Sequence, residues 1–209
     1  GYAMPLNKNI RQHKNEIRAV YRRIRANCPK DVKRELDIKI TKKFLSLEEY
    51  RKSKTLFAFV STPIEVDTSL IIETALKDGK RLAVPKCRDK SGLMDFYYIT
   101  SVSCLKKGAF SIMEPDEALC EKVSDYSDGL CIVPGLCFDF QGYRLGFGKG
   151  YYDRFLEKFG GTSVGICYSR CIEKELPKGI FDKNTDILVT DKFINYIHNV
   201  SERNDKYEP

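Results

Sequence analysis

Residues 55–87 read TLFAFVSTPIEVDTSLIIETALKDGKRLAVPKC, two apolar runs flanking a stretch of helical periodicity. TLFAFVS (55–61) and RLAVPKC (81–87) read as buried strands. Between them, DTSLIIETALKDGK (67–80) reads as a helix with Asp67 as its N-cap and Gly79 as its stop. Strand, helix and strand in that order make a βαβ unit, the building block of a parallel sheet.

The same order recurs downstream. GLCIVPG (129–135) is a second apolar strand, YYDRFLEKFG (151–160) a short helix with Tyr152, Phe155, Leu156 and Phe159 inward, and SVGICY (163–168) the next strand. The stretch between, residues 95–123, is less regular, with a short aromatic strand at 96–99 and a turn near Gly108. The expected fold is α/β, a three-layer open, mostly parallel sheet with helices on both faces, in a single domain over residues 1–209. Gly1 to Ala3 read as a cloning remnant and residues 201–209 as a frayed polar tail.

Two helices precede the first unit. From Lys8 to Arg25 there are seven basic residues and one acid, Glu16. Ile10, Ile17, Tyr21 and Ile24 suggest an apolar face, and Arg11, Lys14, Arg18, Arg22 and Arg25 a cationic stripe. Such a stripe by itself reads as a solvated face. Residues 30–50 read as a second amphipathic helix, with Val32, Leu36, Ile40, Phe44 and Leu47 on one side.

A formal charge of +7 fits an anionic ligand: nucleic acid, a membrane surface or a small phosphorylated or polycarboxylated substrate. No apolar run reaches the roughly 20 residues that span a bilayer, and no signal-peptide pattern opens the chain, so the expected location is the cytoplasm. Eight dispersed cysteines without a CxxC pair, and only two histidines, read as free thiols rather than as a disulfide framework or zinc site.

The chemistry concentrates in RLGFGKGYYDR (144–154), between a strand and a helix, where open α/β sheets bind ligands. Gly146, Gly148 and Gly150 let backbone amides approach a phosphate, and the following helix offers its unsatisfied N–H groups. Lys149 adds a mobile charge and Arg144 a planar fork. The run is neither a Walker loop, which would need Ser or Thr at 150, nor a dinucleotide fingerprint, which would need glycine at 151. Asp153 suits both a helix cap and a magnesium ion beside a polyphosphate.

In full, VPGLCFDFQGYRLGFGKGYYDRFL (133–156) resembles the signature of the 5-formyltetrahydrofolate cyclo-ligases, also called methenyltetrahydrofolate synthetases. KNEIR (14–18), FVSTPIEVDT (59–68), MEP (113–115) and NTDILVTD (184–191) resemble further family segments in the family's order. Cys137 and Phe147 occupy variable positions.

The resemblance implies a cytoplasmic ligase that uses ATP and Mg2+ to turn 5-formyltetrahydrofolate into 5,10-methenyltetrahydrofolate, ADP and phosphate. It acts as a monomer on small molecules, without nucleic acid or membrane. Carried over by position, ATP would be held by Lys14, Arg18 and the run Arg144, Leu145, Gly146, Phe147, Gly148, Lys149, Gly150, Tyr151 and Tyr152. The folate would meet Val60, Glu65 and Phe147 to Tyr151. Lys149, Arg144 and Tyr151 would serve catalysis, and Asp153 and Asp186 would coordinate magnesium. Val60 also reads as an ordinary strand residue, and Glu114 as a capping or loop residue. Two other readings stay open: an ATP-dependent relative acting on another pterin or amide, and a nucleic-acid module using the basic helix.

Overall fold

A computed structural model describes residues 6–88, 91–108, 111–179 and 182–198. Both expected terminal segments, 1–3 and 201–209, lie outside these. The elements are α1 (Leu6–Ala26), α2 (Lys30–Leu45), α3 (Glu48–Lys52), β1 (Thr55–Phe57), α4 (Ser69–Lys77), β2 (Arg81–Cys87), β3 (Met94–Ile99), β4 (Leu105–Lys107), β5 (Met113–Pro115), β6 (Glu121–Lys122), β7 (Leu130–Val133), β8 (Cys137–Asp139), β9 (Arg144–Leu145), α5 (Tyr151–Lys158), β10 (Thr162–Ile166), β11 (Ile172–Glu173), β12 (Ile187–Val189) and β13 (Ile194–Tyr196).

Eight strands form one sheet in the order β13-β12-β10-β7-β1-β2-β3-β6. The five from β12 to β2 are parallel, and β13, β3 and β6 add antiparallel edges. The mostly parallel sheet read from the two βαβ units is therefore present. Alternation along each strand divides the core between two faces. Leu56, Leu82, Val84, Leu130 and Ile132 join Ile40 and Phe44 of α2 and Ile71 and Ala75 of α4 on one face. On the other face Phe57, Ala83, Cys131 and Val133 pack against Tyr152 and Phe155 of α5. Phe57, Phe96, Tyr126, Phe155 and Phe159 form an aromatic cluster there, with the Phe57 and Phe96 ring centroids 5.2 Å apart at 85°.

At the ends of α4 the stop at Gly79 is as the sequence suggests, while the N-cap position falls to Thr68, one residue past Asp67, which still serves the first helical amide. Asp67 Oδ1 accepts from the Ser69 N–H at 2.9 Å, and Gly79 takes the left-handed conformation, φ 79°, that closes the helix. Three further features differ from expectation. The helix over 30–50 breaks at Ser46 and Leu47, where Ser46 N–H donates to the Lys42 and Lys43 carbonyls and Leu47 is extended before α3 begins. The ladder of β1 ends at Phe57, and the chain after Ala58 leaves the sheet toward Glu65. On α1, Arg25 is buried while Ile24 is exposed, so the apolar face and cationic stripe are not separated as periodicity suggests.

The hairpin β8–β9, with β11, forms a second small sheet over the first face. Phe138 of β8 is fully buried on Gly165 of β10, where a methyl group would come within 2.6 Å of the ring. That close approach lays the hairpin flat and places Arg144 beside the carboxyl ends of the parallel strands. Gly165→Ala should overpack this contact and lower stability by about 1–3 kcal/mol, read from the urea midpoint of unfolding. An unchanged midpoint would show that the hairpin is not seated by this glycine.

Candidate functional site

The glycine loop runs from β9 to α5 and is gripped by three arginines from two helices. Arg18 of α1 donates from Nε to the Gly146 carbonyl at 2.9 Å and from Nη1 to Asn15 Oδ1 at 2.7 Å. Arg22, one turn along, lies over the Phe147 ring at 5.2 Å. Arg154 of α5 donates to the Lys149 carbonyl at 2.6 Å and to the Gly92 carbonyl at 3.3 Å. Gly148 and Gly150 hold positive φ values of 103° and 73°, conformations that other residues adopt only with strain. Gly150 is also the residue ahead of α5, so no side chain caps the first-turn N–H groups of that helix. These amides and the exposed Lys149 side chain are available to an anion.

Arg144 is almost wholly buried. Its Nε donates to the Pro134 carbonyl at 2.8 Å, its Nη1 lies 3.5 Å from Asp153 Oδ1, and its guanidinium sits 5.5 Å over the Tyr152 ring. Burial raises the Asp153 carboxyl above the usual range, opposed by Arg144 and reinforced by nearby Asp182. Lys14 of α1 enters the same group through an ion pair with Asp182 at 2.5 Å. Burial likewise lowers the Arg18 guanidinium, with Arg22 and Arg144 adding repulsion. The cluster is a concentration of cations around a few carboxylates, partly withdrawn from water, which a polyanion would relieve.

Glu65 lies across from this cluster on the loop that leaves β1. It is 8% exposed, and its Oε1 accepts from both the N–H and the hydroxyl of Thr62 at 2.9 Å. Burial raises its carboxyl, while Thr62, Arg25 and Arg144 pull it back. Val60, half-buried, packs against the main core beside it. Cys87, at the end of β2, lies close enough to Tyr151 and Lys149 for both to act on its thiol. Burial raises its thiol, and Tyr151 and Lys149 oppose the rise.

The structure thus brings together Lys14, Arg18, Arg144, Gly146 to Tyr151, and Asp153, with Glu65 and Val60 nearby. Two residues of the expected run turn inward. Leu145 is a core residue, and Tyr152 carries Arg144 on its ring while its hydroxyl, buried, finds no partner among the described residues. Asp186 is placed elsewhere, at the amino end of β12. Its Oδ2 accepts from the Ser163 N–H at 2.9 Å and its Oδ1 lies 2.9 Å from His198 Nδ1, a task of holding strands rather than of joining Asp153. Glu114, on β5, lies 3.7 Å from Lys86 Nζ. Sequence reasoning did not single out Asp182, in a stretch without periodicity, nor the clasping roles of Arg22 and Arg154, whose signal is only their charge.

The raised Glu65 carboxyl fixes a sign. Its ionisation in the fold is disfavoured, so its contribution to stability is full at acid pH and lost as pH rises from the unfolded value through the folded one. Glu65→Gln should therefore stabilise the ligand-free protein more at neutral pH than below the carboxylate range, compared by urea unfolding at both. A difference independent of pH would rule out charge burial as the cause.

A family model described as the 5-formyltetrahydrofolate cyclo-ligase family matches residues 10–191. The chain is 31% identical over 193 residues to a probable 5-formyltetrahydrofolate cyclo-ligase of Schizosaccharomyces pombe, covering 85% of this chain and 94% of that one. It is 28% identical to a 5-formyltetrahydrofolate cyclo-ligase of Haemophilus influenzae, covering 85% and 98%. Among solved structures, a 5,10-methenyltetrahydrofolate synthetase of Aquifex aeolicus superposes with a TM-score of 0.79 at 37% identity, covering 89% and 93%.

Proposed function

The chain belongs to the 5-formyltetrahydrofolate cyclo-ligase family, ligases that form a carbon–nitrogen bond, and on that premise we propose that it uses ATP and magnesium to close 5-formyltetrahydrofolate to 5,10-methenyltetrahydrofolate. The observation that carries the nucleotide half is the glycine loop clasped by Arg18, Arg22 and Arg154 at the uncapped start of α5.

A formamide carbonyl is a weak electrophile and its oxygen a poor leaving group. In the proposed reaction the formyl oxygen takes the γ-phosphoryl group and ADP leaves. Nitrogen 10 of the folate then attacks the activated carbon, and phosphate departs with the formyl oxygen as the methenyl bridge forms. The protein supplies position and charge. Loop amides and Lys149 meet the phosphates, and Lys14 and Arg18 approach them from α1. Arg144, fixed by Pro134 and Tyr152, is pre-aimed and loses little freedom on binding. Tyr151 and Phe147 line the boundary between nucleotide and folate, and Glu65 accepts from the donor-rich edge of the pterin beside Val60.

Magnesium, when bound, neutralises charge on the phosphates. Asp153, with Asp182 close by, fits this hard cation, which takes one or two carboxylates and completes its shell with phosphate oxygens and water. Asp186 is left to its structural task.

The basic helix argues against the nucleic-acid reading. Lys14, Arg18 and Arg25 are turned toward the protein, on Asp182, Gly146 and the strand ends, and do not form a solvated stripe for a polymer. No helix among the described residues is long and apolar enough to cross a membrane. All eight cysteines are free, which supports a reducing compartment such as the cytoplasm.

The purified protein, mixed with 5-formyltetrahydrofolate, ATP and magnesium, should produce the near-ultraviolet absorbance of the methenyl product only when ATP is present. No ATP-dependent rise would reject the reading. Lys149→Ala should lower kcat by about 10²–10³-fold with the fold intact, as expected for removing a group that stabilises transferring charge. Asp153→Asn should move the magnesium titration to higher concentration, and an unmoved titration would remove Asp153 from the metal.

A further inference from the structure

Cys104 and Cys120 are distant in sequence and adjacent in space, on a part of the molecule that the proposed reaction does not use. Cys104 closes a short turn at residues 102–104 and leads into β4, which returns as β5 with Leu105 opposite Pro115. Asp116 N–H donates to the Cys104 carbonyl at 2.9 Å, and Leu119 N–H to the Asp116 carbonyl at 2.9 Å. This second turn carries Cys120 back until its Sγ lies 3.7 Å from the Cys104 carbonyl oxygen. Each thiol bears on the other's ionisation, Cys120 lowering Cys104 and Cys104 raising Cys120. Both are partly accessible. Backbone hydrogen bonds at 104, 116 and 119 fix their proximity.

We propose that Cys104 and Cys120 are a redox-active dithiol that closes to an intramolecular disulfide when the protein meets a low-molecular-weight disulfide. The Cys104 thiolate attacks one sulfur of the reagent, whose S–S bond breaks and releases one thiolate. The Cys120 thiolate then attacks the Cys104 sulfur of this mixed disulfide, forming the protein S–S bond and expelling the second thiolate. The two protons lost by the cysteines end on the two released thiols. The protein sulfurs give up two electrons in all, and the reagent takes them.

The order of attack follows from the surroundings. Hydrogen bonds from Thr100 lower the Cys104 thiol, whose Sγ is 3.8 Å from Thr100 Oγ1, while burial and its neighbour raise Cys120. The other close pair, Cys167 and Cys171, is buried, so a dissolved reagent does not reach it in the folded protein.

The bond would bracket β4 and β5 and tether the strand that carries Glu114. Glu114 faces Lys86 of β2, next to Cys87, whose thiol is influenced by Tyr151 at the start of α5. The redox state of this hairpin would therefore bear on the rim of the site.

The folded protein is incubated with excess oxidised glutathione, quenched in acid, alkylated and mapped by peptide mass spectrometry. The expected result is a linked peptide pair joining Cys104 and Cys120, with Cys167 and Cys171 alkylated as free thiols. Cys120→Ser should instead retain glutathione on Cys104. The proposal is overturned if both cysteines remain free while Cys28 or Cys87 is modified, if neither these nor any other thiol reacts, or if wild type merely accumulates glutathione at Cys104 without the link.

Discussion

A guanidinium taken out of water is the fixed point of this structure. Arg25, 6% exposed, donates from Nε to the Leu136 carbonyl at 3.0 Å, from Nη1 to the Ile64 carbonyl at 3.0 Å and from Nη2 to the Gly135 carbonyl at 2.6 Å, with the Tyr168 ring 5.1 Å away. An unpaired charge in this position would cost several kcal/mol, and three carbonyls and an aromatic face offset it. These carbonyls belong to the segment that follows β7 and to the loop holding Glu65. One side chain thereby ties α1 to both. Once Arg25 is seated, helical geometry places Arg22 and Arg18 at successive turns against the glycine loop and Lys14, one turn further, on Asp182.

The sheet makes that anchoring meaningful. Parallel strands covered on both faces expose their carboxyl ends as a rigid edge, and the segments leaving β1 and β7 both emerge there. Phe138 on Gly165 and the aromatic cluster under α5 hold the two sides of the path that follows β7. The loop between them is shaped by its own glycines and held by arginines that contact its carbonyls. This leaves its amide groups to face a ligand.

The sequence shows much of this because its signals are local. Alternation of apolar runs and helical periodicity read out β1, α4, β2, β7, α5 and β10, and the spacing of Gly146, Gly148 and Gly150 around Lys149 reads out the loop. Less legible is whatever depends on partners distant in the chain. The short strands β8, β9 and β11 carry too few residues for a period. Arg25 looks like one more member of a basic stripe until Leu136 and Ile64 are folded against it. Asp186 sits in a recognisable segment, yet its neighbours Ser163 and His198 decide what its carboxylate does.

The ion pair between Lys14 and Asp182 gives this corner of the site a counter-charge of its own. A phosphate group reaching for Lys14 must displace a carboxylate already held at 2.5 Å, so the affinity of this corner is the difference between two attractions rather than the strength of one. On the proposed reading the same exchange would run in reverse as a nucleotide departs, with Asp182, already within reach of the lysine, taking the place of the leaving phosphate. A charge partner built into the chain would thus set how long a phosphorylated product stays, favouring repeated turnover over tight retention.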